Sequence, residues 1–294
     1  MSVFANLLKD PPPAYAFELS ELGVAFARTG GAPQIDFHPF EPGVLSVSPV
    51  HDNIQRPDLF ATQIDALAPA NGNRKRRAAL ILPDYCARVA VLDFDSFPAG
   101  HEEQQALVRF RIKKSVPFDV ETAAVGYFAQ PRSGPSGRIE VVVAIMAPEI
   151  VARYEAPFRD AGYVPGFITT SSLAMLNLLT PQGVTLVVKA SGRTLTALVL
   201  DGAALKLARC VEMESGALDE IEGVVHPTVA YIEDELKKTP TRILLCGMGV
   251  AGEELGRQWQ ADWGVPLESL RSKYGAPGPA NAGLHGYLES LAGG

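Results

Sequence analysis

The sequence predicts an α/β fold made of two similar halves, and three observations indicate it. Alternating apolar and polar residues over 15–47 predict a meander of short strands, and a second run of strands begins at Thr185. In each half, helical periodicity then leads into a buried-looking apolar strand, AALILP in the first and RILLC in the second. An additional unit at residues 86–164 interrupts the first half.

The first half is predicted to begin with a hairpin and to continue through a helix into the strand AALILP. The segments YAFELSELGVAFAR and QIDFHPF are separated by Gly30-Gly31, and the apolar run 44–47 extends the meander. A helix follows, predicted from the spacing of Leu59, Ile64 and Leu67. Basic RKRR at 74–77 is predicted to be a solvated turn before AALILP, and residues 1–13 to be a short tail.

The inserted unit contains a helix, predicted over 101–116, whose ends are marked by charge. Acidic residues open it and basic residues crowd its end, an order that suits the helix dipole. Pro117 stops the helix, because proline lacks a backbone N–H and clashes with the preceding turn. The strands RVAVLDF, a run from Ala123 and RIEVVVAIM surround it, and a helix at 148–161 closes the unit.

The second half repeats the pattern after a short strand and helix in AGYVPGFITTSSLAMLNLL. Three strands are predicted in TLVVKAS, LTALVLDG and ALKLARCV, followed by a long helix at 217–238 and the strand RILLC. A glycine-bearing loop at 247–252, a helix at 253–262 and a final helix in NAGLHGYLESL complete the chain.

Composition narrows the functional classes. The 294 residues carry a formal net charge of −7, which argues against a general nucleic-acid binder. No apolar run approaches the roughly 20 residues that span a bilayer, and MSVFANLLKDPPP does not have the pattern of a signal peptide. Three scattered cysteines and five scattered histidines form no metal motif and fit a reducing cytoplasm. No GxSxG elbow, Walker loop or Ser-His-Asp set is visible.

The segment 109–128, RFRIKKSVPFDVETAAVGYF, resembles a segment of a known protein family. A helix that ends in a basic pair, then Pro-Phe, then an acidic residue resembles PilM-type type IV pilus assembly proteins, which are related to FtsA. The segment AGYVPGFITTSSLAMLNLL resembles the family too, so that the likeness covers most of the chain from residue 15 onward. It implies an actin-like (ribonuclease H-like duplicated) fold with an inserted subdomain.

The resemblance also implies the domain boundaries. Residues 1–85 and 165–181 would form the first actin-like half, 86–164 the inserted subdomain, and 182–294 the second half. About one helix intervenes between the strands at Val211 and Arg242, where relatives carry a further small lid subdomain, so this lid is expected to be reduced or missing.

In working members of the superfamily, two glycine-bearing hairpins hold the phosphates and two acidic residues hold a hydrated magnesium ion. The first hairpin is altered here. Glu18 stands in place of the metal-side aspartate, Ser20 replaces the glycine, and Ala25 replaces a phosphate-facing lysine. Glu21 adds a negative charge where a phosphate would lie.

The second hairpin departs further, and the third loop keeps its glycines. Lys189 and Ser191 replace the metal-side aspartate and the glycine, whereas Gly247 and Gly249 resemble the adenosine-side loop. Lys189 would pair with Glu18, act as a fixed cation in place of the metal, or reach solvent. We therefore expect no cofactor, no metal and no ATP hydrolysis, with at most a vestigial ATP/Mg cleft formed by Glu18, Ser20, Lys189, Ser191, Gly247 and Gly249.

Two other activities are left open. Gly247-x-Gly249-x-x-Gly252 follows a strand and opens a helix, as in a dinucleotide fold, and Glu268 is placed like a ribose-binding acid. Only about 26 residues follow Glu268, too few for the remaining units of such a domain. The second open activity is that of an active actin-like enzyme, either an ATPase or a sugar or acyl kinase. Such an enzyme would need intact phosphate-binding hairpins.

The resemblance implies binding partners. PilM-like proteins hold the cytoplasmic tail of the membrane protein PilN, and an extended tail would fit a groove beside the helix 102–116. The expected contacts, any of which could instead be core, are Leu107, Val108, Phe110, Ile112, Lys113 and Phe118. Arg109, Lys113 and Lys114 could meet an acidic tail or anionic lipid heads.

The expected role is a scaffold at the cytoplasmic face of the inner membrane. It would associate with the membrane through its partner, contact pilus motor ATPases and bind no nucleic acid. The closest alternative role is the cytoplasmic part of an L-type protein of type II secretion.

Overall fold

Two sheets with the same strand order form the framework of the molecule. The computed structural model of the chain describes residues 12–68, 76–131 and 137–292. In each sheet the first three strands of a half are antiparallel neighbours, and its fourth and fifth strands are added in parallel beside the first. The predicted duplication of an α/β unit is therefore confirmed.

The first sheet has helices on both faces. Its strands, in spatial order, are β3 (Ile35–Pro39), β2 (Gly23–Arg28), β1 (Tyr15–Ser20), β4 (Arg76–Leu82) and β8 (Tyr163–Thr170). The helices are α1 (Pro57–Ala66), α3 (Pro148–Asp160), α4 (Ser171–Met175) and α7 (Ala282–Ala292). Alternate residues of β1 and β4 pack under α1 and α3 on one face and under α4 and α7 on the other. These central strands are apolar on both faces because both are covered.

The inserted unit is a small sheet with one helix. Its strands, in spatial order, are β5 (Arg88–Phe94), β7 (Ile139–Met146) and β6 (Ala124–Ala129). Helix α2 (His101–Ile112) is extended by a 3₁₀ turn, Lys113–Ser115, and Pro117 follows two residues later. Val108 and Ile112 pack against one face of the sheet, which joins the helix to the unit.

The second sheet lies over the inserted unit. Its strands, in spatial order, are β11 (Ala204–Glu212), β10 (Thr194–Asp201), β9 (Val184–Ser191), β12 (Arg242–Cys246) and β13 (Leu267–Ser269). Helices α5 (Leu218–Asp234) and α6 (Gly249–Trp263) cover one face around the buried Trp259. On the other face, Leu198 and Leu200 pack with Val142 of the insert and with α4. Helix α5 is the one helix between β11 and β12.

Polar contacts fix the insert to the second half. The side chain of Gln130 donates to the carbonyl of Leu205 at 2.8 Å and accepts from its N–H at 2.7 Å. Beside it, the Lys206 ammonium lies 2.6 Å from a carboxylate oxygen of Glu140. The amide of Gln130 thus acts as one more backbone partner, and the two units are joined by directional bonds as well as apolar packing.

The last helix returns to the first half. Leu284, Tyr287 and Leu288 of α7 pack on the first sheet, beside α4. A Cβ at Gly286 would lie 2.1 Å from the carbonyl oxygen of Ala174. The backbones of α7 and α4 can therefore approach this closely only because residue 286 has no side chain.

Several sequence expectations differ from the observed elements. The run 44–47 forms a compact loop in which Leu45 makes an isolated bridge to Ile54, and it is not a strand of the meander. Helices α3 and α7 pack in the cores of the first half, although the predicted boundaries put them in 86–164 and 182–294. The tail up to residue 11 and the first part of the RKRR turn lie outside the described residues.

The close approach of α7 and α4 makes position 286 sensitive to a single methyl group. We expect Gly286→Ala to lower the free energy of unfolding by about 3 kcal/mol, because the added Cβ must displace backbone. Urea denaturation measures the loss. The matched control is Gly223→Ala in α5, where a Cβ meets nothing within 4 Å, and there we expect no loss or a gain of up to about 1 kcal/mol. Equal stability of the two variants would contradict the packing described.

Candidate functional site

Three charged side chains meet where the two halves face each other. Glu18 lies in β1, Asp84 follows the end of β4, and Lys189 lies in β9. All three are buried, with relative exposures of 1%, 5% and 2%. Two central strands of the first sheet and one of the second thus direct ionisable groups into one interior cluster.

Lys189 makes an ion pair with Asp84. The ammonium lies 2.9 Å from Oδ2 of Asp84, and that oxygen also accepts hydrogen bonds from the hydroxyls of Ser172, at 2.5 Å, and Thr196, at 3.1 Å. The backbone N–H of Ser172 donates to Oδ1 at 2.7 Å. A buried carboxylate with a counterion and three further donors is well compensated for its loss of water.

The sequence placed Lys189 in the cleft but missed its partner. The structure contradicts both the pair with Glu18 and a solvent-exposed lysine, because the ammonium is buried and its hydrogen bond goes to Asp84. Asp84 stands in no recognisable motif. Its one signal was its place two residues after the apolar strand β4, where carboxyl ends of parallel strands gather functional groups.

Glu18 is held by first-half groups and by α7. Ser171 Oγ donates to its Oε1, and the N–H of Leu284, in the first turn of α7, donates to its Oε2 at 2.6 Å. A carboxylate at this place satisfies a helix N–H that has no partner inside the helix, and it faces the positive end of the helix dipole.

Burial and charge set the protonation of the cluster. Burial raises the pKa of Glu18 above its ordinary value, although Lys189 and its hydrogen bonds oppose the rise. Burial acts in the same direction on Asp84, but the Lys189 ammonium and Ser172 outweigh it and lower the pKa. For Lys189, burial is outweighed by Asp84 and Glu18, which raise the pKa of the ammonium. The pair Asp84–Lys189 is therefore ionised at neutral pH.

Glu21 connects the first hairpin to the second. Its Oε2 accepts from the backbone N–H of Arg193, in the turn of the second hairpin, at 2.9 Å. Its Oε1 accepts from the N–H of Val47 at 3.2 Å. Backbone N–H groups of such turns bind anions, and here a carboxylate of the chain occupies them. A Cβ at Gly192 would lie 2.5 Å from the same Oε2, so this contact needs glycine.

The space left between the hairpins is a cavity of about 10 Å³ lined by the charged cluster together with Ser20, Glu21, Ser191 and Thr194. A volume of this size holds about one water molecule. The residues therefore do not fit Mg–ATP in this arrangement, because a phosphate would compete with Glu21 and a metal ion with Lys189. Among the described residues no group of three or more His, Cys, Asp or Glu side chains could hold a metal.

The two glycines singled out in the third loop have different surroundings. A Cβ at Gly247 would lie 2.1 Å from the carbonyl oxygen of Ala190, so the loop lies against β9. Gly249 begins α6 and faces open space. The second sheet mixes antiparallel and parallel strands, unlike the parallel sheet of a dinucleotide domain. The dinucleotide interpretation of Gly247-x-Gly249-x-x-Gly252 is therefore wrong for this fold.

The six expected partner contacts separate into three environments. Val108 and Ile112 are fully buried in the insert, and Leu107 is half-buried against the same core, so the expectation that these residues line a groove is corrected to core packing. Phe110 and Lys113 are exposed. Helical spacing alone could not distinguish a core face from a groove face.

Phe118 lies at the junction of the first half and the insert. It packs on both cores and lines a cavity of about 180 Å³. The wall is mostly apolar or aromatic and includes Pro49, Tyr85, Pro117 and Leu173. A larger cleft of about 410 Å³ is lined by the end of β6, the segment after α4, the turn between β10 and β11, α7 and the start of β12.

Solved structures with the same fold include proteins of pilus and secretion machinery. A PilM–PilN type IV pilus biogenesis complex matches with 18% identity over 97% of this chain and 99% of that chain, at a TM-score of 0.71. A Bacteroides thetaiotaomicron protein described as having an actin-like ATPase fold and unknown function matches with 13% identity over 93% and 94%, at 0.58. The cytoplasmic domain of EpsL, an inner-membrane component of the Vibrio cholerae type II secretion system, matches with 10% identity over 95% and 94%, at 0.50.

These likenesses establish the fold. The chain has the actin-like fold, and the predicted resemblance to PilM is confirmed at that level. No protein-family model and no curated protein matches the sequence. Within the described residues, no helix is both long enough and apolar enough to cross a bilayer.

The ion pair predicts a pH-dependent loss of stability. Lys189 holds the pKa of Asp84 below its ordinary value, so Asp84 stabilises the fold above about pH 4 and this contribution is lost as pH falls. Lys189→Met leaves a buried carboxylate without a counterion. We expect it to lower the free energy of unfolding by about 3–5 kcal/mol at pH 7, and by less at pH 3, as measured by urea denaturation.

The control is Lys238→Met, which breaks the more exposed ion pair with Asp201. Its effect should stay below about 1 kcal/mol at either pH. The assignment of Asp84 as the counterion fails if the loss in Lys189→Met is equally small or does not change between pH 3 and pH 7.

Proposed function

We propose that this chain is a non-hydrolysing scaffold of an inner-membrane pilus or secretion assembly, and that it captures the cytoplasmic tail of a PilN-like membrane protein. The observation that carries the proposal is that the cleft between the two hairpins is closed, with a cavity of only about 10 Å³ left in it. Lys189 stands at the metal-side position and Glu21 accepts from the N–H of Arg193 in the second hairpin. With these positions filled by the chain's own groups, binding of a protein partner is the function that the geometry favours.

The shared fold supports the partner class. One similar structure is a PilM–PilN complex, and the likeness covers nearly the whole chain. Such a partner places the chain at the cytoplasmic face of the inner membrane, where contacts with motor ATPases would also be made. The similarity to the cytoplasmic domain of EpsL favours a type II secretion assembly as the second candidate.

We assign the tail to the cavity at Phe118. The cavity lies where the first half, the insert and strands β10 and β11 of the second half meet, and most of its wall offers apolar or aromatic surface to an extended peptide. Tyr85 is half-buried beside it and supplies a second aromatic contact. Aromatic side chains in such pockets provide most of the energy of peptide capture.

The closed cleft predicts no response to nucleotide. Calorimetric titration of the purified chain with Mg–ATP should give no binding heat up to about 1 mM ATP, and no phosphate should be released. A Kd in the micromolar range, about −8 kcal/mol, would contradict the proposal. ATP turnover that disappears in Glu18→Ala would restore the active ATPase as the leading function.

From the lining of the cavity we predict which aromatic residues contact the tail. The N-terminal peptide of a PilN-like single-span protein encoded beside this chain should bind saturably in the same calorimeter. We expect Phe118→Ala and Tyr85→Ala each to weaken binding about tenfold, in samples whose thermal unfolding shows that they are folded. Phe110→Ala removes an aromatic ring that lines no wall of this cavity and should leave the affinity unchanged. Equal loss in all three variants would place the tail elsewhere.

A further inference from the structure

The end of α2 presents an exposed aromatic ring among cations. Phe110 is 76% exposed, the largest exposure of any aromatic side chain described. Lys113 and Lys114 lie three and four residues further along and are exposed as well. Residues at this spacing are neighbours on a helix surface, so the ring and the two ammonium groups form one patch.

Two arginines extend the positive charge of this patch. Arg109 donates to the carbonyl of Ala123 at 3.0 Å, and Arg111 donates to that of Asp93 at 3.2 Å and stacks over Phe94. Both guanidinium groups are thus held in place by neutral oxygens. No ion pair formed by the described residues includes any of the four cations at 109–114. Arg111, Lys113 and Lys114 are exposed and can meet a partner, whereas Arg109 is half-buried.

The acidic residues of α2 are distant from the patch. Glu103 lies ten residues before Lys113, about 15 Å along the helix axis. That separation exceeds the Debye length of about 8 Å at physiological salt. The other acidic residues beside the patch are Asp93, whose carbonyl accepts from Arg111, and Asp119 and Glu121 in the loop after Pro117. Against these three, the four cations leave one excess positive charge at this end of a chain whose formal net charge is −7.

We infer that residues 109–114, the end of α2 and the start of its 3₁₀ turn, rest on the anionic headgroups of a lipid bilayer, with the ring of Phe110 at the interface. Charge complementarity supports a bilayer, and so does the position of Phe110: its ring is 76% exposed and lines none of the cavities described. Lysines around an aromatic ring are the residues that anchor a surface helix to lipid.

This contact is expected to be weak by itself. Stable membrane attachment takes two signals, and one aromatic ring with a few cations supplies only one. The inference rests on the proposed function for its second signal, the membrane-anchored partner. The contact would orient the scaffold so that the insert faces the bilayer from which the partner's tail emerges.

The test is co-sedimentation of the purified chain with vesicles, in the absence of any partner. We expect binding at millimolar lipid to vesicles containing phosphatidylglycerol in low salt, and none to pure phosphatidylcholine. Lys113→Gln with Lys114→Gln should weaken binding about fivefold for each charge removed. Phe110→Ser should weaken it about tenfold.

The matched control is Val250→Ser on α6. Val250 is 80% exposed, so this change also removes exposed apolar surface, but from the other half of the molecule, and it should leave vesicle binding unchanged. Because Phe110, Lys113 and Lys114 are all on the surface, their variants should unfold at the temperature of the unchanged chain.

Absence of binding to anionic vesicles, or equal binding by Phe110→Ser and Val250→Ser, would overturn the inference. Calorimetric binding of a poly-glutamate peptide that the two lysine changes abolish, without vesicle binding, would identify an acidic protein segment as the occupant. The PilN-like tail is titrated in the absence of lipid, and its variant is Phe118→Ala. Loss of tail binding with intact vesicle binding would therefore contradict the proposed function alone, and the reverse would contradict the lipid contact alone.

Discussion

The buried ion pair between Lys189 and Asp84 determines how the two halves of this molecule relate. In an actin-like fold the halves face each other across a cleft, and here a cation from one half is bonded to an anion from the other. Opening the cleft would separate the two charges while both are still partly buried, and an unpaired buried charge is strongly destabilising. Glu21 adds a second link across the same cleft. The halves are thus joined by charged side chains of the chain itself.

The inserted unit strengthens this closed arrangement from another direction. It is covalently part of the first half, yet its Gln130 and Glu140 bind the second half and its Val142 lies in the core beneath β10. A hinge motion between the halves would have to break these contacts as well as the ion pair. Two features lie away from this arrangement of charges on the outer surface or open towards it: the exposed end of α2 and the cavity at Phe118.

Much of the fold could be predicted from local patterns, because strand alternation and proline stops act over a few residues. The same patterns could not place α3 and α7, since their apolar faces fit any neighbouring core and only tertiary packing decides which. The site was predictable only in part. Lys189 and Glu21 could be identified because they depart from the hairpin motifs of the superfamily. Asp84 belongs to no motif, and its role depends on the Lys189 side chain reaching it. Val108 and Ile112 have the spacing of any buried helix face.

The bond between Glu18 and the N–H of Leu284 has a consequence for biosynthesis. It joins the first strand of the chain to its last helix, 266 residues apart in sequence. Until that helix has left the ribosome, Glu18 and one face of the first sheet lack their cover. The first half therefore cannot complete its core until the second half has been synthesised, even though most of its strands emerge early, and its exposed strands would be the surface on which a chaperone acts in the interval.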